Sequence, residues 1–473
     1  MPKILSLISG VAATFALAAA YAQRTDASAT LPAPVAQALR SAQIDVSHTA
    51  FVVQPLAEGE LSLSLNASTP MNPASTMKLV TTYAGLQLLG PAYTWRTEVF
   101  VSGALRRDVL EGDLILRGSG DPKLVIENLW LLTQRIRGYG IRQLNGDVVL
   151  DKSAFELTSY DPAAFDAQEL RPYNAGPDAL LVNFKAVTFG FVPDPESRSA
   201  RVVVTPALAG LTPPATVRLM DGPCGDWRAR LQGDFSDPMR PKFSGAFPAA
   251  CGERLWPVSV LSHNAYFEAA FRALWLAAGG TWNGKVRDGE VSAEARRIAV
   301  HESEPLAQVI RDINKFSNNV MARQLLLTLA AETYGRPGTT THGAQAIKNG
   351  LAARGLELPE LIIENGAGLS RAERISAEGL ARLLRHAYAS AWMPEFMSSL
   401  PITGLDGTMR KRNGASNSAH VKTGQLNDVR AIAGYVLAAS GRRYVVVALI
   451  NHPNAGAAQA AHDALLEWVY RNG

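Results

Sequence analysis

The feature that constrains the fold most is a change of texture along the chain. Near the N-terminal end, Phe51-Val52-Val53 and Leu61-Ser62-Leu63-Ser64-Leu65 flank the turn-forming Glu58-Gly59-Glu60 and predict a hairpin. Pro73 suits a first helical turn, and Met77, Val80, Ala84 and Leu88 recur at helical spacing until Gly90-Pro91, so a helix is expected over 74–89. Near the other end, Arg430–Ala438 and Arg442–Ile450 are β-rich runs joined by Ser440-Gly441, a second hairpin. The terminal segment sets Ala461, Ala464, Leu465, Trp468 and Val469 on one helical face. Its polar side lacks the Lys/Arg array of an interfacial helix, so it is expected to pack on a sheet. Between about 94 and 294 the chain instead reads as short strands, such as Thr97–Val101, Asp113–Leu116, Asp147–Leu150 and Arg201–Thr205. Asn145-Gly146, Thr212-Pro213-Pro214 and Asp221-Gly222-Pro223 punctuate them, with helices expected chiefly over Val125–Arg137 and Ser262–Ala278. The reading is an α/β (α+β) host formed by 31–93 and 295–473, interrupted over 94–294 by one or two β-rich accessory units.

With 47% apolar and 19% charged residues in 473, the composition supports packed cores and excludes a disordered chain. The formal charge is only +4 and the basic residues are scattered, so no nucleic-acid partner is expected. The first 22 residues carry Lys3, an apolar run from Ile4 to Ala20 and the small-x-small triplet Ala20-Tyr21-Ala22, which predicts a secretory signal cut after Ala22. An uncleaved anchor is the alternative, but the run is shorter than the about 20 strongly apolar residues of a span and is interrupted by Ser6, Ser9 and Thr14. Export would place the two cysteines, Cys224 and Cys251, in an oxidising compartment, where a disulfide between them is expected over two free thiols. Two cysteines without His at ligand spacing make no zinc shell, and neither a metal nor a cofactor is called for.

Three short motifs carry chemistry. Ser75-Thr76-Met77-Lys78 places Ser75 and Lys78 one helical turn apart at the head of an apolar helix. Ser317-Asn318-Asn319 precedes the apolar run Val320–Ala330, and Lys422-Thr423-Gly424 precedes the β-rich Val429–Val436. Each alone is commonplace: a polar stripe, a loop and a strand end. In this order, Ser-x-x-Lys, Ser-x-Asn and Lys-Thr-Gly form the motif set of penicillin-binding proteins and serine β-lactamases. A serine is a weak nucleophile until a base takes its proton, and Lys78 can act only as the neutral amine, which burial and the second cation of Lys422 favour. Ser317 would relay protons to the leaving group, Asn319 would hold Lys78 and the substrate amide, and Lys422 and Thr423 would face a substrate carboxylate. The backbone N–H groups of Ser75 and Gln425 would stabilise an oxyanion. His420 shares a strand face with Lys422, and an ordinary exposed strand histidine is its simpler reading. No Gly-x-Ser-x-Gly elbow, His-Glu-x-x-His or P-loop occurs, and Gly118-Ser119-Gly120 lacks the third glycine of a dinucleotide fingerprint.

With Gly120-Asp121-Pro122-Lys123-Leu124, Gly366-Ala367-Gly368-Leu369-Ser370-Arg371, the run from Ser399 to Thr408 and Lys422-Thr423-Gly424-Gln425-Leu426, the sequence resembles the D-alanyl-D-alanine carboxypeptidase/endopeptidase family of low-molecular-mass penicillin-binding proteins. Spacing separates that family from its relatives, because Ser317 lies 242 residues beyond Ser75 and Lys422 only 105 beyond Ser317. A connection that long must hold folded units of its own. The resemblance implies a transpeptidase/β-lactamase-like domain with an antiparallel sheet, interrupted by two nested accessory domains, and cleavage of peptidoglycan stem peptides after a D-alanine through an acyl-enzyme on Ser75; the signal segment sets the expected location as the periplasm. It also implies covalent inhibition by β-lactams, and leaves homodimerisation and peripheral membrane or cell-wall association open. Gln425 stands where the family usually has Ser or Thr, and Ala367 where it often has Ser. A β-lactamase would reuse Ser75 and Lys78, but no Glu-x-x-x-Asn lies between Ser317 and Lys422. A non-catalytic peptidoglycan-binding protein of this fold would be expected to have lost Ser75, Lys78 or Lys422.

Overall fold

The computed structural model describes residues 30–57, 59–156, 160–415 and 417–473; the expected signal segment, 1–22, lies outside the described residues. The host is built on a five-stranded antiparallel sheet in the order Leu63–Leu65, Thr49–Pro55, Arg443–Asn451, Val429–Leu437, Ala419–Leu426. Both expected hairpins are present, with Val53 opposite Leu63 and Leu437 opposite Arg443. The first strand pairs along its whole length with the last, Thr49 opposite Ile450 and Pro55 opposite Tyr444, which joins the two ends of the chain in one sheet.

Both faces of this sheet are covered, which explains why Val429–Leu437 and Arg443–Asn451 read as continuous apolar runs rather than as alternation. Ala431, Ala433, Val445 and Val447 pack with Val80 and Ala84 of helix Met77–Leu89, Leu325 of helix Asn319–Tyr334 and Leu380 of helix Ala377–Tyr388. Ile432, Val436, Val446 and Ile450 pack on the other face with Leu465 and Val469 of the terminal helix Gln459–Asn472, as its sequence pattern predicts. That layer also holds a helix for which the sequence analysis gives no expectation: Ala33–Ser41, with a proline in its first turn and burying Val35 and Leu39.

Arg96–Val101 and Arg296–Glu302, which flank the middle stretch in sequence, pair antiparallel from Arg96 opposite Glu302 to Val101 opposite Arg296. Between them lie the rest of that five-stranded sheet, a four-stranded sheet of very short strands, and another five-stranded sheet centred on Val187–Asp194 and Ser199–Thr205. Helices Ile126–Gly138 and His263–Ala277 fall within a residue of their expected bounds. Phe191 stacks on Phe247 at 5.6 Å between ring centroids and meets Trp227 and Phe243 edge-on at 5.7 and 5.2 Å. The expected disulfide, Cys224–Cys251, ties the loop after Thr216–Met220 to the turn before Arg254–Val258. Among the described residues no helix is long and apolar enough to cross a membrane.

Candidate active site

The helix expected over 74–89 does not run unbroken. Ala74–Thr76 is a 3₁₀ turn with Ala74 in the left-handed region at φ 44°, and the α-helix begins at Met77. Side chains and close backbone contacts impose this turn. Asn72 Oδ1 accepts the Ala74 N–H at 2.9 Å, Asn72 Nδ2 donates to the Ser370 carbonyl at 2.9 Å, and Asn451 pairs with both backbone groups of Asn72, at 2.8 and 3.0 Å. On one side a Cβ at residue 368 would fall 1.9 Å from the Ala74 carbonyl oxygen; on the other, a Cβ at residue 424 would fall 2.6 Å from that of Pro73. Gly368 and Gly424 therefore let two backbones clamp the serine turn, and the strain of about 1–3 kcal/mol expected of a left-handed alanine is held by the surrounding contacts.

Ser75, half-buried, lies on this turn with its Oγ 3.0 Å from Lys78 Nζ. Lys78 is wholly buried and donates also to Asn319 Oδ1 at 2.6 Å and to the Ala367 carbonyl. Burial, with Lys422 and Arg323 adding repulsion, pushes its amine well below the ordinary lysine range, against an opposing pull from Glu373. Glu373 is itself fully buried; one carboxylate oxygen accepts the N–H groups of Glu364, Asn365 and Gly366 at 2.9–3.1 Å, and its desolvation raises its pKa. The backbone around Gly366 that gives Lys78 its carbonyl partner is thereby anchored to an acid that the sequence reading did not single out.

The second motif closes the same site. Ser317 is left-handed at φ 56°, and Asn318 caps helix Asn319–Tyr334 by accepting the Met321 N–H at 3.1 Å. The middle residue of the triplet thus starts the helix, so that Ser317 and Asn319 can point at the two lysines. Lys422 Nζ donates to Ser317 Oγ at 2.9 Å and to the Thr423 carbonyl at 2.7 Å, and burial pushes its pKa down to about 7. Lys422 does not line the cleft: it lies fully buried beneath Ser317, because its long side chain turns inward from the edge strand Ala419–Leu426. Thr423 lines the cleft in its place, its hydroxyl 2.8 Å from that of Thr408. Gln425 is exposed on the same strand. His420 is absent from the cleft lining and half-buried, with its pKa lowered by desolvation.

The cleft has a volume of about 780 Å³ and is lined by Ser75, Ser317, Asn319, Thr423, Gly424 and Gln425, together with Phe165, Asp166 and Tyr173 from the middle of the chain. Nothing in the spacing of those last three residues announced them; only the packing of the middle stretch against the host brings them there. Arg371, in a segment already noted, lies over the Phe165 ring at 4.9 Å. Two serines on one cleft, each held by a buried lysine amine beneath it, are the kind of groups an acyl transfer through a serine ester requires. Among the described residues no cluster of His, Cys, Asp and Glu could hold a metal ion.

Comparison with known proteins agrees with this arrangement. The model of the D-Ala-D-Ala carboxypeptidase 3 (S13) family matches residues 31–472. The chain belongs to this family. It is 26% identical over 415 residues to the D-alanyl-D-alanine carboxypeptidase DacB of Haemophilus influenzae, covering 87% of this chain and 86% of that one. It is 28% identical over 442 residues to the D-alanyl-D-alanine carboxypeptidase of Actinomadura sp. strain R39, covering 88% and 79%. The crystal structure of penicillin binding protein 4 (dacB) from Haemophilus influenzae superposes with a TM-score of 0.76 at 23% identity, over 92% of this chain and 99% of that one. The same protein complexed with a novel β-lactam gives 0.72 at the same identity and coverage. These two likenesses show the fold. The family, the mixed helix and sheet architecture and the enzyme class expected from the sequence, a serine-type D-Ala-D-Ala carboxypeptidase of family S13, are therefore shown.

Proposed function

We propose that this S13 enzyme is exported to the periplasm, cleaves peptidoglycan stem peptides as a D-Ala-D-Ala carboxypeptidase and DD-endopeptidase, and is acylated on Ser75 by its substrates and by β-lactams. The observation that carries the reading is the Lys78 amine, buried, 3.0 Å from Ser75 Oγ and held below its ordinary pKa. In the reaction so read, Ser75 Oγ attacks the carbonyl carbon before the terminal D-alanine while Lys78 takes the hydroxyl proton. The N–H groups of Ser75 and Gln425 would receive the oxyanion. The C–N bond then breaks, and the leaving amine takes a proton through Ser317 and the Lys422 ammonium behind it. The Lys78 proton then passes to solvent and Lys422 regains one; water attacks the ester with neutral Lys78 again as base, and the proton Lys78 takes from the water goes to Ser75 Oγ as the ester C–O bond breaks, freeing Ser75 and the shortened peptide. Thr423, which lines the cleft, would meet the substrate carboxylate, with Lys422 buried behind it. The stretch 94–294 is read as an accessory insertion that lends Phe165, Asp166 and Tyr173 to the cleft.

The test is labelling with a fluorescent penicillin, which imitates an acyl-D-Ala-D-Ala end. The mature protein is expected to form a lasting covalent adduct, and Ser75→Ala to form none. Persistent labelling of Ser75→Ala would overturn the assignment, and an adduct that turned over within seconds would point to a β-lactamase.

A further inference from the structure

The cleft does not stop at the edge strand. Its lining continues past Thr423 and Gln425 to Lys411, Arg430 and His462, the last in the first turn of the terminal helix. Arg430 stands directly opposite Gln425 in the strand register, so the two side chains share a face of the sheet. Its guanidinium donates to the carbonyls of Leu426 and Val429, at 2.7 and 2.9 Å, and meets no carboxylate among the described residues. Lys411 is exposed and likewise has no acidic partner there, whereas neighbouring Arg412 is neutralised by Asp463 at 2.6 Å. Asp166, the acid in the lining, is already engaged by the Tyr173 hydroxyl at 2.8 Å and by Asn174 Nδ2 at 2.7 Å. His462 forms part of this lining while only 2% exposed, and its Nε2 has no hydrogen-bond partner. Burial beside Arg412 and Arg430 pushes its pKa down to about 3, so the ring is neutral. A shelf with two unmatched cations and an unused buried ring nitrogen, continuous with the nucleophile's cleft, lacks an anion.

We propose that this shelf binds a carboxylate of the leaving peptide when the substrate is a cross-linked pair of stem peptides. The inference rests on the acyl-enzyme reading of Ser75 and adds a determinant of which substrate is preferred. A carboxypeptidase reaction expels one alanine, whose single carboxylate is met at Thr423. An endopeptidase reaction expels the side-chain amine of a residue that belongs to a second peptide, and that peptide carries further carboxylates beyond the reach of Thr423. Lys411 and Arg430 are placed to meet one of these, and the exposed Gln425 amide, opposite Arg430 in the strand register, extends the polar surface toward them.

The experiment compares kcat/KM of Lys411→Gln and Arg430→Gln enzymes on two purified substrates, a cross-linked muropeptide dimer and an uncross-linked pentapeptide, with penicillin acylation as a third readout. The dimer rate is expected to fall about tenfold in each variant, as for loss of a charge-assisted bond, with the pentapeptide and penicillin rates held within about twofold. Lys411→Arg should restore the dimer rate. Equal loss on both peptides, or an unchanged dimer rate in both variants, would overturn the proposal. A parent enzyme inert toward penicillin would instead remove the reading beneath it.

Discussion

Around Ser75 the structure buries Lys78, Asn319, Glu373 and Lys422, whereas the core around Phe191 in the middle stretch is aromatic and aliphatic and is tied by Cys224–Cys251. The difference separates two uses of burial. Around Phe191, apolar area leaves water and stabilises the fold, at about 1.5–3 kcal/mol for each fully buried large side chain. Around Ser75, burial serves a different end: it opposes the charged form of two amines, and in the mechanism proposed above that cost is retained because the neutral Lys78 amine is the reactive species. Function and stability are therefore expected to respond in opposite ways to substitutions in the two places.

The sharpest way to break this contrast is Lys78→Met. Penicillin acylation is expected to fall by at least about 10³-fold, since the proposed base is gone, while the melting temperature stays within a few degrees, because the amine's desolvation cost is removed along with its bonds to Asn319 and Ala367. Retention of most of the parent rate near neutral pH would place the base elsewhere.

The converse change is Phe191→Ala, expected to cost about 3–5 kcal/mol in denaturant unfolding of the middle stretch, with acylation of the folded protein nearly unchanged. A parallel loss of acylation would show that the two cores are not separable. Breaking the disulfide by Cys224→Ser with Cys251→Ser should cost less, about 3 kcal/mol for a loop of this size, again without changing the acylation rate; unfolding curves and labelling kinetics decide it.

The smallest effect is a change of pH profile. Acylation should rise with pH as Lys78 loses its proton, and Lys422→Gln, which removes a neighbouring cation, should move that rise to higher pH. Stability gives a second reading of the same charge. Lys422 has a folded pKa of about 7, below its unfolded value, so its charging penalty is fully present below about pH 7 and fades as pH rises toward about 10.4. The Lys422→Gln protein should lose that rise in stability, measured by thermal melts across the interval.

How much of this was legible in the sequence depends on how local the cause is. The hairpins, the helices at 126–138 and 263–277, the texture change and the three motifs are set by periodicity, turn residues and chemistry-bearing triplets within a few residues of each other. The 3₁₀ turn at Ser75 was not legible, because residues distant in sequence impose it: Asn451, Ser370, Gly368 and Gly424. Helix Ala33–Ser41 escaped notice because its apolar face, Val35 and Leu39, is short and gains its burial from the terminal helix and the sheet.

By itself, the sequence determined which groups were available: a serine one turn from a lysine, a second serine and lysine, and a family-specific spacing between them. Tertiary structure alone decided their electrostatic state and their surroundings. It turned Lys422 inward under Ser317 rather than toward the cleft, placed Glu373 and Arg323 within range of Lys78, and brought Phe165 and Arg430 to the same cleft. The reason is physical. A side chain's identity is a local property, but its pKa, its exposure and its partners depend on the dielectric and the charges assembled around it by contacts from distant parts of the chain.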